Sequence, residues 1–283
     1  MPTQSTQIFL GSTPIPFYFI GDTQVGANPA SVPSFPRVGL IYAFDATNPV
    51  SFPGSGSIWR DLSANKILST TFSGSSFPTF NSASKELVFN GTNNALMATI
   101  TSSVATGSVI RDFTQVIWVK TINAGNNNAS GIVNLQNGAN PTIFDAISFN
   151  ESSDVWRLTS DDNNRNVTST TTETVFNSYH MITATRESGS GNFEIWRDGA
   201  NIIASGSFTP QTYSTSVSPI YSSMGNRFFN IGIPEWSTDG YISCSLSAVL
   251  LYNRILSVDE INEIYNAGRT GISINQYISN NNC

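Results

Sequence analysis

The stretch GYISCSLSAVLLYNRILSVDEINEIYN, residues 240–266, decides the fold class. Within it Leu246, Ala248, Leu250 and Tyr252 fall on one side of an extended chain, and Val249 and Leu251 fall on the other. A strand over 242–252 is therefore covered on both faces. The period then changes. Ser257 is placed to cap a helix, Glu260 to return a bond to the cap amide, and Leu256 to staple onto Ile261. Val258, Ile261, Ile264 and Tyr265 share one side of this helix, which spans 256–265, and Gly268 is its expected stop. A doubly covered strand running into one short amphipathic helix describes a sheet with a helix packed on it.

Working outward, FEIWRDGANIIA, residues 193–204, reads as a hairpin, because Asp198-Gly199 accepts positive φ between two segments of strand propensity. Further short apolar runs recur between Gly, Asn and Ser clusters, at 40–45, 86–90, 114–120, 131–135, 143–149, 155–160, 180–186, 193–197, 201–204 and 228–233. So many strands at short spacing predict a sandwich or barrel rather than a parallel sheet with crossover helices. Residues 1–36 differ. They carry Pro2, Pro14, Pro16, Pro29, Pro33 and Pro36, and are expected to form an extended arm with one short edge strand near Phe17 to Ile20. The expected organisation is an arm over 1–36, a β domain over 37–270 and a tail over 271–283.

The chain has 283 residues, 39% hydrophobic but only 11% charged, so its solubility rests on Ser, Thr, Asn, Gln and backbone, as suits a β-rich surface with many turns. A net charge of −6 with singly scattered Lys and Arg excludes a nucleic-acid binder, which phosphates reward for clustered positive charge. Of the two cysteines, Cys244 sits in an apolar run and Cys283 is the last residue, so Cys244 reads as a small buried hydrophobe rather than half of a disulfide. The first residues lack a basic n-region, and Pro14 and Pro16 interrupt their apolar stretch, so they do not read as a secretory signal. No run of about eighteen apolar residues occurs, which excludes a membrane-spanning helix.

Five landmarks in order resemble the concanavalin A-like lectin and glucanase superfamily, in its laminin-G-like or pentraxin-like branch. They are residues 39–66 with Trp59, Asp61, Leu62 and Ser63 in a Trp-x-Asp-Leu-Ser turn, KELVFNGTNNAL at 85–96, DFTQVIWVK at 112–120, YHMITATRESGSGNFEIWRDG at 179–199, and the closing strand and helix at 240–266. The resemblance implies an all-β jelly-roll sandwich of two antiparallel sheets with one short C-terminal-side helix. The Asp-Ala-x-Asn-Pro sequence at Asp45, Ala46, Asn48 and Pro49 resembles domains of tailed-phage structural proteins and of bacterial surface proteins. There such domains serve as binding or decoration modules.

A glycosidase of the resembling superfamily presents a Glu-x-Asp-x-x-Glu series along one strand, for acid and nucleophile work across the scissile bond. Here only Glu194 to Asp198 approaches that series, and Asp198 is taken by the hairpin turn. The single histidine, His180, opens a strand beside Tyr179 and reads as a packing residue, with no strained nucleophile elbow around any serine. The chain is expected not to be an enzyme. Asp61, Asp154, Asp161, Asp162 and Asp239 lie in loop-like segments whose oxygens suit calcium. The laminin-G and pentraxin groups hold calcium at the sandwich rim, which makes Asp161, Asp162 and Asp239 the candidate metal donors, although SDDNNRN at 160–166 lacks calcium-loop spacing and also reads as a hydrophilic turn. For a carbohydrate, IPEWSTDG at 233–240 offers Glu235, Trp236 and Asp239. The competing reading has Trp236 capping the core while the acids solvate the turn. Trp59, Trp118, Trp156 and Trp196 are expected to be packing residues. Asn90, Asn128 and Asn166 begin Asn-x-Ser/Thr triplets, which arise readily by chance in so polar a chain.

These readings converge on a non-enzymatic virion structural or decoration protein of a tailed phage, adhesive to host-surface glycans. It would be homo-oligomeric and joined to other virion proteins through the arm, with neither nucleic acid nor membrane insertion. The alternative is a carbohydrate-binding lectin of a cell surface or secreted protein.

Overall fold

Two large antiparallel sheets, of nine and eight strands, face each other in a computed structural model. It describes residues 9–10, 13–14, 17–20, 23–27, 36–71, 75–101, 109–110, 112–121, 130–137, 144–150, 154–160, 165–169, 178–187, 190, 192–202, 206–207, 213–214, 220–224, 241 and 243–269. The first sheet runs Ala200–Asn201, Asn192–Arg197, Tyr179–Arg186, Phe113–Thr121, Ser243–Tyr252, Glu86–Asn90 and Thr79–Asn81, with Leu40–Asp45 also on Ser243–Tyr252 and Gly206–Ser207 on Asn192–Arg197. The second runs Arg165–Thr168, Val155–Ser160, Phe144–Asn150, Ser130–Asn137, Ile220–Met224, Leu96–Ile100, Leu68–Thr71 and Ile58–Arg60. The all-β sandwich expected from the strand pattern is the fold of the protein.

Period-two alternation fills the layer between the sheets. Ile117 and Val119, Val249 and Leu251, Ile182 and Ala184 come from the first sheet, and Leu96 and Ala98, Val133 and Leu135, Trp156 and Leu158 from the second. Phe44 packs on Trp59 at 5.5 Å between ring centroids, and Phe149 on Trp156 at 5.0 Å. A polar bridge crosses this layer: the Tyr42 and Ser222 hydroxyls share a hydrogen bond of 2.7 Å, and burial pushes the Tyr42 phenol up to about 12. Ser222 explains why Ile220–Met224 (IYSSM) escaped the hydrophobic pattern. Its inward position is a serine whose hydroxyl is satisfied by Tyr42, so burial occurs without an apolar side chain.

The opposite face of the first sheet carries the helix. Val116, Met181, Ala248, Leu250 and Tyr252 form a second cluster with Leu256, Ile261, Ile264 and Ala267. The cap is as expected: Ser257 Oγ accepts from the Glu260 amide at 3.2 Å, and Glu260 accepts from the Ser257 amide at 2.8 Å. The end is not. The helix spans Val258–Arg269, so Gly268 lies inside it. A Cβ there would stand 2.2 Å from Trp118, so this glycine serves close approach to the sheet rather than termination. Gly199 has the same duty in the Asp198-Gly199 turn, where φ is +81° and a Cβ would meet Asn262 Oδ1 at 2.3 Å.

In the arm, Phe17–Ile20 is a strand as expected, and it pairs with Thr23–Ala27 rather than with either large sheet. A second small hairpin joins Phe9–Leu10 to Thr13–Pro14. The arm thus holds two local hairpins. The expected strand 228–233 lies outside the described residues.

Candidate functional site

The ionisable groups of the first sheet bind one another. Glu86 is 1% exposed and accepts from Lys120 Nζ at 2.9 and 3.2 Å, from Ser245 Oγ at 3.3 Å and from the Tyr179 hydroxyl. Burial alone would raise its carboxyl, but the Tyr179 and Lys120 bonds outweigh burial and hold it below the usual range. Tyr179 is pushed well up, first by burial and then by the adjacent carboxylate. A phenol so placed keeps its proton, and a carboxylate so saturated has no lone pair left for substrate. This cluster went unnoticed in the sequence because its members, Glu86, Lys120, Tyr179 and Ser245, lie near the ends of four different strands. The available signal was that Glu86 and Lys120 are each the one charged residue of a strand-like run.

His180 Nδ1 lies 2.7 Å from Asp198 Oδ2, while Asp198 Oδ1 accepts from the Met181 amide at 2.9 Å. Burial opposes ionisation of Asp198, yet these two bonds hold its carboxyl low. The pair ties the hairpin turn to the neighbouring strand, consistent with a packing histidine. Glu194 is half-buried elsewhere on the hairpin strand. Asp61 is equally committed: Oδ1 accepts from the Ala43 and Ser63 amides, both at 2.7 Å, and Oδ2 from Ser63 Oγ at 2.5 Å and the Ile67 amide at 3.2 Å. The Trp-x-Asp-Leu-Ser turn is therefore a structural knot, with Trp59 wholly buried beside it. Asp45 and Asn48 likewise close their own turn, accepting from the Thr47 and Val50 amides at 2.8 Å each.

Among the described residues no group of three or more His, Cys, Asp or Glu gathers around a point. Asp161, Asp162, Glu235, Trp236 and Asp239 lie outside the described residues. Trp59 and Trp156 are core residues, and Trp118 and Trp196 pack against the helix cluster, as expected of them. Cys244 is a free, buried thiol whose pKa burial drives upward.

The outer face of the second sheet differs in kind. Opposite the inward Val133 and Leu135 stands Asn134, in register with Ser223 on one side and Ala146 on the other. Ser148 pairs with Arg157, which alternates with the inward Trp156 and Leu158. Thr70, Met97 and Thr99 continue this face toward the other edge and are part-exposed, as is Arg157. Among the described residues this face mixes hydroxyls and amides with the cations Arg157 and Arg60 and the apolar Leu68 and Met97, where the first sheet has a hydrophobic seat for the helix. The polar residue in Val133-Asn134-Leu135 and in Trp156-Arg157-Leu158 is the sequence signal that marks this face.

No protein-family model matches the chain, and no curated protein matches it. Solved structures match its fold. A Trypanosoma rangeli sialidase in complex with 2,3-difluorosialic acid aligns over 90% of this chain and 36% of its own, at 18% identity and a TM-score of 0.57. A botulinum neurotoxin type C structure, from work on cell entry through two ganglioside molecules, aligns over 81% and 51%, at 13% identity and 0.54. The binding domain of botulinum neurotoxin serotype D/C aligns over 81% and 52%, at 13% identity and 0.55. The chain spans about a third of the sialidase and about half of the toxin chains. These likenesses are of fold alone, an antiparallel β-sandwich.

Proposed function

We propose that this protein is a non-enzymatic adhesion module whose sandwich binds surface glycans, carried as a structural or decoration protein of a tailed-phage particle. The observation that carries the adhesive reading is the outer face of the second sheet, where the part-exposed Arg157, Thr70 and Thr99 present hydrogen-bonding groups. A planar guanidinium and small hydroxyls match the in-plane hydroxyls of a sugar. Fold neighbours that engage sialic acid derivatives and gangliosides support it. The non-enzymatic reading is supported by the carboxylates of Glu86, Asp61 and Asp198, all consumed by structural bonds.

The arm, residues 1–36, supplies the attachment to other virion chains. Isolated two-stranded hairpins are marginal in water, and the apolar Phe9, Leu10, Phe17, Phe19 and Ile20 favour docking on a partner. Saturable binding on a panel of immobilised glycans is expected, with the protein detected by mass spectrometry in purified particles. No binding to any glycan would remove the adhesive reading. Glycan binding by a protein absent from particles would assign it instead to a cell-surface or secreted lectin. A chain beginning at Arg37 is expected to fold and to fail to join the assembly; normal incorporation would remove the anchoring role.

A further inference from the structure

Five large apolar side chains are exposed among the described residues, and three of them, Val38 at 75%, Val258 at 49% and Ile255 at 37%, gather in one place. Arg254 ties them together. Its Nε donates to the Val38 carbonyl at 2.7 Å, its Nη1 donates to the Ile255 carbonyl at 3.2 Å, and its guanidinium pairs with Glu260. Glu260 in turn accepts from the Ser257 amide, next to Val258 at the start of the helix. The support beneath is fixed. Thr114 Oγ1 donates to the Arg254 carbonyl at 2.8 Å and accepts from the Leu256 amide at 2.9 Å, and the Asn253 amide donates to the Gly39 carbonyl at 2.8 Å. Singly scattered apolar residues are normal on a surface, but three grouped on a rigid support, with the charges of Arg254 and Glu260 between them already paired, form an apolar patch of the kind that marks an interface.

The arm is the segment that matches this patch. It joins the domain at Pro36, which is buried and stands two residues before Val38, so the patch lies at the arm's root. Residues 1–35 carry one charged side chain, Asp22, and their two small hairpins contain Phe9, Leu10, Phe17, Phe19 and Ile20. The hairpins pair with neither large sheet, and Val38, Ile255 and Val258 stay exposed in a chain that possesses its arm. Within one copy, then, the arm lacks a seat and the patch lacks a cover. A second copy supplies both. Residues 28–35 separate the nearer hairpin from Pro36, and eight residues reach about 28 Å at full extension. Because the arm's root and the patch lie side by side, two copies that face each other at this end exchange arms reciprocally. The exchange closes at two copies and makes both contacts at once, whereas a contact between opposite ends of the molecule would grow a filament.

We infer that the patch of Val38, Ile255 and Val258 is the seat for the arm of a second copy of this chain, and that two copies exchange arms. The inference rests on the reading of the arm as an attachment device and names both its partner and the surface it meets.

The test is the mass of the full chain in solution, by sedimentation equilibrium over a concentration series. A dimer of twice 30.6 kDa that dissociates on dilution is expected. Ile255→Asp with Val258→Asp alters the patch, and Phe17→Ser with Phe19→Ser alters the arm. Each pair is expected to weaken association at least about tenfold with thermal unfolding unchanged, because a charge or hydroxyl placed at an apolar contact must give up its water. Val258→Leu, which keeps the patch apolar, is expected to preserve the dimer. Mixing the patch variant with the arm variant brings one intact arm to one intact patch, and a mixed dimer weaker than that of the natural chain is expected. A full chain that is monomeric throughout the series would overturn the second copy as occupant, and if that monomer still joined particles only with its arm present, the attachment reading would stand. A dimer indifferent to the patch variant would overturn the seat. A mixture that stays monomeric would overturn the pairing of arm with patch.

Discussion

The two outward faces of the sandwich solve the same problem in opposite ways. On the first sheet, Trp118, Val116, Met181 and Leu250 are sealed by the helix, and Lys120 pairs with Glu86 and His180 with Asp198. On the second, Asn134 and Arg157 remain unpaired among small neighbours. Carboxylates saturated by neighbouring donors are a mark of scaffolding. Glu86, Asp61 and Asp198 thereby belong to the architecture.

The largest effect expected from breaking this division is at Asp61. Asp61→Ala leaves the Ala43, Ser63 and Ile67 amides without an acceptor, and at about 1–3 kcal/mol for each unmet buried group the loss is at least about 3 kcal/mol by urea unfolding. A loss under about 1 kcal/mol would mean that the knot is not structural. Next comes Gly268→Leu, which drives a side chain into Trp118 and is expected to cost about 1–3 kcal/mol and to disturb the stacked Trp118–Tyr265 pair, now 6.0 Å between centroids, in near-UV circular dichroism.

The Glu86 cluster sharpens the comparison through pH. Glu86, Asp198 and Glu260 all have lowered folded pKa values, Glu260 to about 2 through its hydrogen bonds from Arg254. Their contribution is present above the unfolded carboxylate range, near 4.5 for Glu and 3.8 for Asp, and is lost as pH falls through the folded values. Stability should therefore fall from about pH 4.5 toward 2, and Glu260→Gln should flatten that slope. Glu86→Gln is expected to destabilise at neutral pH by about 1–3 kcal/mol, and Glu86→Leu with Lys120→Met to recover much of it, because a buried pair is worth little over a well-packed apolar replacement. An unrecovered double variant would point to a role beyond packing. The smallest effect belongs to the second sheet: Thr70→Ala and Thr99→Ala should each change stability by less than about 0.5 kcal/mol, as expected of part-exposed positions away from buried networks.

Alternation, turn residues and the Ser257–Glu260 cap are local properties. They made the β class, the Asp198-Gly199 hairpin, the closing strand and the start of the helix legible in the chain. The strands Leu68–Thr71 and Ile220–Met224 escaped notice because Ser69 and Ser222 take inward positions there, the latter satisfied by Tyr42 far away in sequence. Gly268 looked like a helix stop, since only the approach of Trp118 gives it a different purpose. The candidate face, the outer side of the second sheet, divides in the same way. That Asn134 and Arg157 face away from the core is written in the alternation around them, whereas their nearness follows from strand register across three chain segments. Whether a polar side chain finds a partner depends on which residues the fold brings within about 3 Å of it, and that is decided by tertiary structure.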